Sequence, residues 1–360
     1  MVAAYEQWVE SLGLPIHKNR HYIDDLTKVE MGWWEERGCN AAFIPIIGME
    51  GIVETKVINI PAGKTTRPWK FALDDVYYVL EGKGLTTVWQ DESGTRKTFE
   101  WQERSLFMIP RQSFRQLTNA QGSQPATLLS YNYLPFAMQV VEDLDFYFNN
   151  PYLPRQGVGL EDFYSEAKAQ EEEEGGAGVN TWYGNFFPDM GVWDKLKSYE
   201  RRGGGGSRVG ILFPNSTHRG HMSVFPVGRY KKAHRHGPGR AIVIPAGDGF
   251  SILWEEGKEK IVCPWHEASI FTPPDQWYHQ HFNVGSIPAR YLALAPPHLM
   301  SGHLEEHDED VEQNEIQYPD EDPWIKEFFE KELAKRGVTS LMPKEAYKDR
   351  NYRWKYAGNK

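Results

Sequence analysis

The stretch KKAHRHGPGR, Lys231 to Arg240, places two imidazoles two residues apart, with an arginine four residues further on. It reads either as a metal-binding strand or as a basic loop that contains two histidines. Side chains two apart on a strand point the same way, so His234 and His236 share a face if the segment is extended. A second pair, His279 and His281, follows in PPDQWYHQHFN. Two imidazoles on one strand and a third on a facing strand can converge on one cation, and imidazole suits Fe, Zn, Cu and Ni. Arg240 joins that face if the strand register continues through Gly-Pro-Gly. An arginine has no acceptor and stays protonated, so it cannot ligate; its planar fork suits a carboxylate or enolate. A structural salt bridge or an outward turn is the other reading of Arg240. His218 and His221 read as an ordinary surface pair, with an approach to the site as the alternative.

The elements around these residues are strands. Short runs rich in Val, Ile, Tyr, Phe and Trp alternate with Gly, Pro and Asp turns, as in DVYYVLEGKG, SLFMIPRQ, AIVIPAGDG and FSILWEEGKEK. The runs occur in two copies. Gly63 and Gly82 correspond to Gly228 and Gly247, and Pro110 and Asn119 to Pro274 and Asn283, at offsets of 164 to 165 residues. Agreement at several separated points indicates duplication, and evenly spaced short strands indicate a sandwich or small barrel. The expected organisation is a partly helical arm over 1–40, a first barrel over 41–150, a linker and packing segment over 151–208, a second barrel over 209–300, and an acidic segment with a helix over 301–360. EEEEGGAG and RRGGGGSR read as linkers. TWYGNFFPDMGVW, between them, is aromatic enough to pack on a barrel. DPWIKEFFEKELAKRG reads as a helix capped by Asp322, with Pro323 in its first turn and Gly337 at its end. Its apolar face docks on a barrel or on a second subunit.

Composition sets the outer bounds. The chain has 360 residues, a net charge of −10 and 13 tryptophans. Acidity argues against broad nucleic-acid binding. The longest apolar runs are strand-length, which excludes a helical membrane span. The two cysteines, Cys39 and Cys263, are far apart, and the N-terminus lacks a secretion signal, so the expected location is the cytoplasm.

With these motifs in place the sequence resembles the cupin superfamily, specifically the two-barrel bicupins. The first cupin motif runs Gly, five residues, His-x-His, three or four residues, Glu, six residues, Gly. Here it is matched by Gly228, His234, His236 and Gly247, with Arg240 in the glutamate place. The second motif is matched by Pro274, His279 and Asn283, with Gln276 replacing its glycine. The resemblance implies an all-β-dominated fold of two double-stranded β-helix (jelly-roll) barrels with helical terminal extensions. It also implies a metal on His234, His236 and His279. The first copy carries Trp69, Phe71, Asp75 and Arg115 at the ligand positions, so that barrel reads as metal-free and structural, with a metal-free ligand pocket as the rival.

Oxalate-degrading cupins use three histidines and a glutamate, and Arg240 removes the acid. The chain is instead similar to the three-histidine gentisate and hydroxynaphthoate dioxygenases, although those bind iron in the N-terminal barrel. The expected function is therefore a metal-dependent dioxygenase, with Fe(II) first and Zn, Ni, Cu or Mn as further candidates. It would cleave a carbon–carbon bond of a chelating aromatic acid or β-dicarbonyl, with the substrate and dioxygen as its small-molecule partners. His281 would move protons and Arg240 would anchor the substrate, while Phe250, Trp254, Gln276 and Trp277 would wall the pocket. For His281 a fourth ligand or an outward residue are the alternatives. A non-oxidative lyase, isomerase or hydrolase using Zn or Ni is the second reading, and a binding or storage bicupin the third. A homodimer or larger homo-oligomer is expected, with no nucleic-acid or membrane partner.

Overall fold

The computed structural model describes residues 3–91, 94–154, 163–165, 167–170, 180–192, 197–198, 202–297 and 313–354. The EEEEGGAG segment lies outside them, as does most of the acidic run that begins at residue 305. The chain forms two barrels, each made of a larger and a smaller sheet face to face: seven and four strands in the N-terminal half, nine and five in the C-terminal half. This is the two-barrel, all-β-dominated architecture expected from the sequence.

The duplication is visible in strand register. Trp69 pairs with Arg115 and Arg115 with Val88 in the first barrel. His234 pairs with His279 and His279 with Leu253 in the second, at the same offsets. Asn119 donates its side-chain amide to the carbonyls of Ile60 and Gln124, and Asn283 to those of Phe225 and Ile287. Trp101 donates to Thr86 in one barrel, and Trp265 to Ser251 in the other, at 2.9 and 3.0 Å. Gly82 and Gly247 sit at φ +89° and +96°, where a Cβ would lie 2.9 and 2.7 Å from the Cα of Ala126 and Ala289. Both the left-handed backbone and the close approach demand glycine there.

The larger sheets are buried on both faces. Ile242 and Ile244 point into the C-terminal barrel, while Ala241 and Val243 join a core shared with Val57, Val76 and Leu129 of the N-terminal half. Strands buried on both sides read as continuous apolar runs, which accounts for AIVIPAG. The halves also exchange strands. Tyr22–Ile23, from the N-terminal arm, pairs with Ile270–Phe271, and Phe186–Phe187 pairs with Leu106–Phe107. Asn180–Tyr183 runs parallel to Val209–Leu212. The aromatic segment therefore ties both barrels together rather than lying on one. Among the described residues the N-terminal arm is α-helical over Ala4–Ser11 and has a short 3-10 helix at Leu26–Lys28.

RRGGGGSR is not a linker. Its described part is packed: a Cβ on Gly203 would meet the Tyr318 hydroxyl at 2.6 Å, and one on Gly204 the Tyr230 carbonyl oxygen at 2.7 Å. Glycine is there because other groups come close, a use that composition alone does not separate from flexibility.

The helix Pro323–Ala334 forms as expected, with the Asp322 side chain accepting from the Trp324 amide at 3.0 Å and Gly337 at φ +67° beyond it. Ile325, Phe329 and Leu333 are buried against the chain's own C-terminal barrel, where Phe329 meets Tyr230 and Phe328 meets Phe250. Ahead of the helix, Glu321 accepts from the Tyr230 hydroxyl and from Gln280. Burial outweighs these bonds and lifts its carboxyl to about 7. The folded state thus holds this proton more tightly than the unfolded chain does. The associated stability is complete below the ordinary carboxyl range and is lost as pH rises through about 7. Glu321→Gln should flatten that dependence and stabilise the protein at pH ~8 by about 1–2 kcal/mol. Urea unfolding at acidic and alkaline pH checks this, and an unchanged slope in the variant would refute it.

Candidate metal centre

Two inner faces meet at the site. The smaller sheet contributes His279 and His281, with His234 paired across to His279 and Ser251 across to His281. The larger sheet contributes two cross-strand rows. Arg208, Ser223 and Tyr291 form one; His221, Ala293 and Ile242 form the other. Between the faces lies a small cavity, lined by these residues other than Ser251, together with Arg202, His236 and Arg240.

His234, His236 and His279 are buried, and each offers a ring nitrogen within 4.8 Å of the others. Ring centroids of His279 lie 4.1 Å from His234 and 4.6 Å from His236. All three Nδ1 atoms face backbone carbonyls, those of Lys232, Gly237 and Trp277, at 3.4, 2.8 and 3.2 Å. That arrangement puts the ring proton on Nδ1 and leaves Nε2 to ligate. The Nε2 of His279 is buried without a hydrogen-bond partner, a costly arrangement for a polar atom unless something else binds it. Burial lowers the His279 imidazole to about 3, and lowers those of His234 and His236 well below their usual value. Neutral rings are the form a cation needs. The residues therefore fit a metal. Among the described residues no other such cluster of His, Cys, Asp and Glu occurs.

The strand beneath the motif covers only Ala233–His234. His236 lies just past it, and Gly239 turns the chain at φ +81°. Arg240 still reaches the cavity, through this kink rather than by continuous register. His281 also lines the cavity, outside the three-histidine cluster. Its Nδ1 is 2.9 Å from the Ser251 hydroxyl, which in turn accepts from Trp265. It is neither a fourth member of the cluster nor outward-facing.

The four expected pocket walls do not line the cavity. Phe250 and Trp254 alternate with Ser251 and Leu253, so they face away from the histidines. There they pack on Phe282 and Phe328, and on Tyr278. Trp277 packs beside His21, and the Gln276 side chain donates to Asp275 at 3.4 Å. Of the other histidines, His221 faces the cavity. His218 is buried between the halves, stacked 3.9 Å from Tyr133 and 3.2 Å from the Asp74 carbonyl oxygen. Neither forms the surface pair expected.

The cavity is cationic. Its lining holds three arginines and five histidines, and no carboxylate. Arg202 is partly balanced from outside by Glu315. Behind the wall the buried Lys231 donates to the Tyr291 hydroxyl at 3.0 Å. Burial alone would raise the Tyr291 phenol, but Lys231 and Arg208 outweigh it and bring it below its ordinary value. Arg202, Arg208, Lys231 and Tyr291 were not among the expected site residues. A lone tyrosine on the inward parity of ARYLALA, opposite small residues, is the signal that marks it.

No protein-family model and no curated protein matches the sequence. Among solved structures the chain is similar to Lactobacillus farciminis oxalate decarboxylase in a formate complex. That match has 13% identity and a TM-score of 0.49, over 82% of this chain and 96% of that one. It is also similar to a variant of Bacillus subtilis oxalate decarboxylase, at 12% identity and a TM-score of 0.49, over 79% and 78% of the two chains. By name these are decarboxylases rather than ring-cleaving dioxygenases, and at such identity the likeness is one of fold. Among the described residues no helix is long and apolar enough to cross a membrane.

Proposed function

We propose that the C-terminal barrel is the active site of a metal-dependent enzyme that acts on a small anionic carbonyl compound without consuming oxygen, as a lyase or isomerase. The observation that carries this reading is the cavity lining: three neutral imidazoles in a cluster, three arginines, a tyrosine of lowered pKa, and only Ile242 and Ala293 as aliphatic surface. Such a wall has little to offer an aromatic ring. It matches a short carboxylate or dicarbonyl anion, whose charge the arginines neutralise. His234, His236 and His279 would hold the cation, which supplies Lewis-acid polarisation of a substrate oxygen.

The chain's own groups do the rest. Arg240 orients the anion through its fork. Tyr291, as phenolate, takes a proton from the carbon beside the carbonyl; as phenol, it returns one to the carbon left by bond cleavage. Lys231 stabilises the charged form of Tyr291 in a buried setting. His281 is held in place through Ser251 and relays protons at the cavity edge. Imidazole donors suit Zn, Ni, Fe and Cu, and Mn remains a candidate.

The experiment is an anaerobic assay of the metal-loaded protein in D2O, with a panel of short 2-oxo, 3-oxo and dicarboxylic acids followed by NMR. Decarboxylation, isomerisation or deuterium uptake at carbon is expected; an inert panel that turns over only with oxygen would refute the reading. Arg240→Gln should raise KM by about tenfold or more while metal content stays the same. Loss of metal in that variant would reject the anchoring role. Oxygen-dependent cleavage of a chelating substrate is the second reading, favoured by a metal site of three neutral protein ligands that leaves positions open.

A further inference from the structure

Arg240 reaches the cavity off a kink rather than along a strand, so sheet register does not fix the backbone that delivers it. The residue before it, Gly239, is held from the other half of the molecule. Its amide donates to the Gly48 carbonyl at 2.8 Å, and its carbonyl accepts from the Tyr131 hydroxyl at 2.7 Å. A Cβ on Gly239 would lie 2.9 Å from Cγ2 of Ile52. Gly48, Ile52 and Tyr131 all belong to the N-terminal half.

Strand alternation explains why Tyr131 points there. Ala126–Asn132 is a strand buried on both faces. Ser130 donates to Asp75 at 2.7 Å and Asn132 to Glu54 at 3.0 Å, inside the N-terminal barrel. Tyr131, between them, therefore faces the other way, into the core shared by the two halves. Burial raises its phenol well above the ordinary value, so it remains a donor at neutral pH. The metal ligands are held differently. His234 pairs with His279 within the C-terminal barrel, and the His236 carbonyl accepts from the Gln276 amide at 3.0 Å. The cation site thus rests on its own barrel, while the segment that delivers Arg240 rests on the other.

We propose that Tyr131 is a positioning residue for anion binding: its hydroxyl fixes the Gly239 carbonyl, and thereby the direction in which Arg240 enters the cavity. Gly237-Pro238-Gly239 has a glycine on each side of its proline. Without the bond, the peptide group between Gly239 and Arg240 would be free to turn. The guanidinium would then spread over orientations that do not meet the anion, and binding would bear the cost of ordering it. The metal-free barrel in this way shapes a site that lies in the other one. The inference rests on the anchoring role proposed above for Arg240.

Formate, the smallest carboxylate, is the probe. It is titrated into the full-length protein loaded with cobalt(II), whose visible absorption reports binding beside the metal. Wild type, Tyr131→Phe, Arg240→Gln and the double variant are compared, each checked for folding by circular dichroism. Tyr133→Phe is the control. Its hydroxyl also crosses between the halves, but to the Ala295 carbonyl, at 3.2 Å, rather than to the Gly239 loop. Formate affinity should fall about three- to tenfold in Tyr131→Phe and about tenfold or more in Arg240→Gln, with cobalt content unchanged in both. The double variant should match Arg240→Gln, because the hydroxyl acts through the arginine, and Tyr133→Phe should match wild type. Four results would overturn the proposal: unchanged affinity in Tyr131→Phe where Arg240→Gln is weakened, losses that multiply in the double variant, cobalt lost from Tyr131→Phe, or an equal loss of affinity in Tyr133→Phe. Wild type that takes up no cobalt, binds no formate, or binds it no better than Arg240→Gln would reject the anchoring reading itself, and this inference with it.

Discussion

Replacing His279 by alanine should abolish metal binding, taking the protein from about one equivalent of divalent cation to almost none. His279 is the member that joins the cluster, since its ring lies nearest to both His234 and His236. Its Nε2 is the buried atom that finds no protein partner. Two remaining imidazoles, without any carboxylate in the lining to replace the third, make a poor site for a divalent ion. Removing a buried ring also destabilises the protein by roughly 2–4 kcal/mol, so lost metal must be separated from lost fold. His218→Ala is the control. It removes a buried histidine that stacks on Tyr133, outside the cavity, and should cost stability while keeping the metal. Elemental analysis of both variants, purified anaerobically and checked by circular dichroism, decides the matter. Equal metal in His279→Ala and wild type would place the ion elsewhere.

The second large effect is expected at Tyr291. Tyr291→Phe removes one oxygen and retains a ring that packs beside His281 and Phe225. The fold and the metal content should be unchanged. If the phenol transfers the proton in the slow step, kcat should fall by about 10²–10⁴-fold, the usual worth of a positioned acid or base. KM should change little, because Arg240 still carries the anion. A variant with kcat within about threefold of wild type would remove Tyr291 from the chemistry. It would leave His281 or His221 as the proton-transfer group on the cavity wall. Lys231→Met adds a further check: without the ammonium the phenol should return upward, so the rise in rate with pH should move to higher pH.

The parts of this site legible in the sequence are those fixed by local spacing. His234, His236, His279 and Arg240 stand at motif distances, and the structure gathers them at one cavity. The paired glycines and asparagines gave the barrels and their duplication. What was not legible depends on which face of a doubly buried strand looks inward. FSILW and ARYLALA are buried on both faces and mostly apolar, so their large side chains do not alternate in a way that shows Tyr291 facing the cavity and Ser251 facing His281, while Phe250 and Trp254 face the helix Pro323–Ala334. Arg202 and Arg208 were hidden for a different reason. They flank a glycine run whose composition suits a tether, while the structure uses it for close approach to Tyr230 and Tyr318.

The measurement that bears most directly on the proposed activity is oxygen consumption per product formed. An oxygen electrode and product quantitation would be run together on the metal-loaded protein, with whichever acid of the anaerobic panel is turned over. Product without oxygen uptake is the expected result, at the same rate in air and under argon. One molecule of oxygen consumed per molecule of product would contradict the non-oxidative reading and return the site to dioxygenase chemistry.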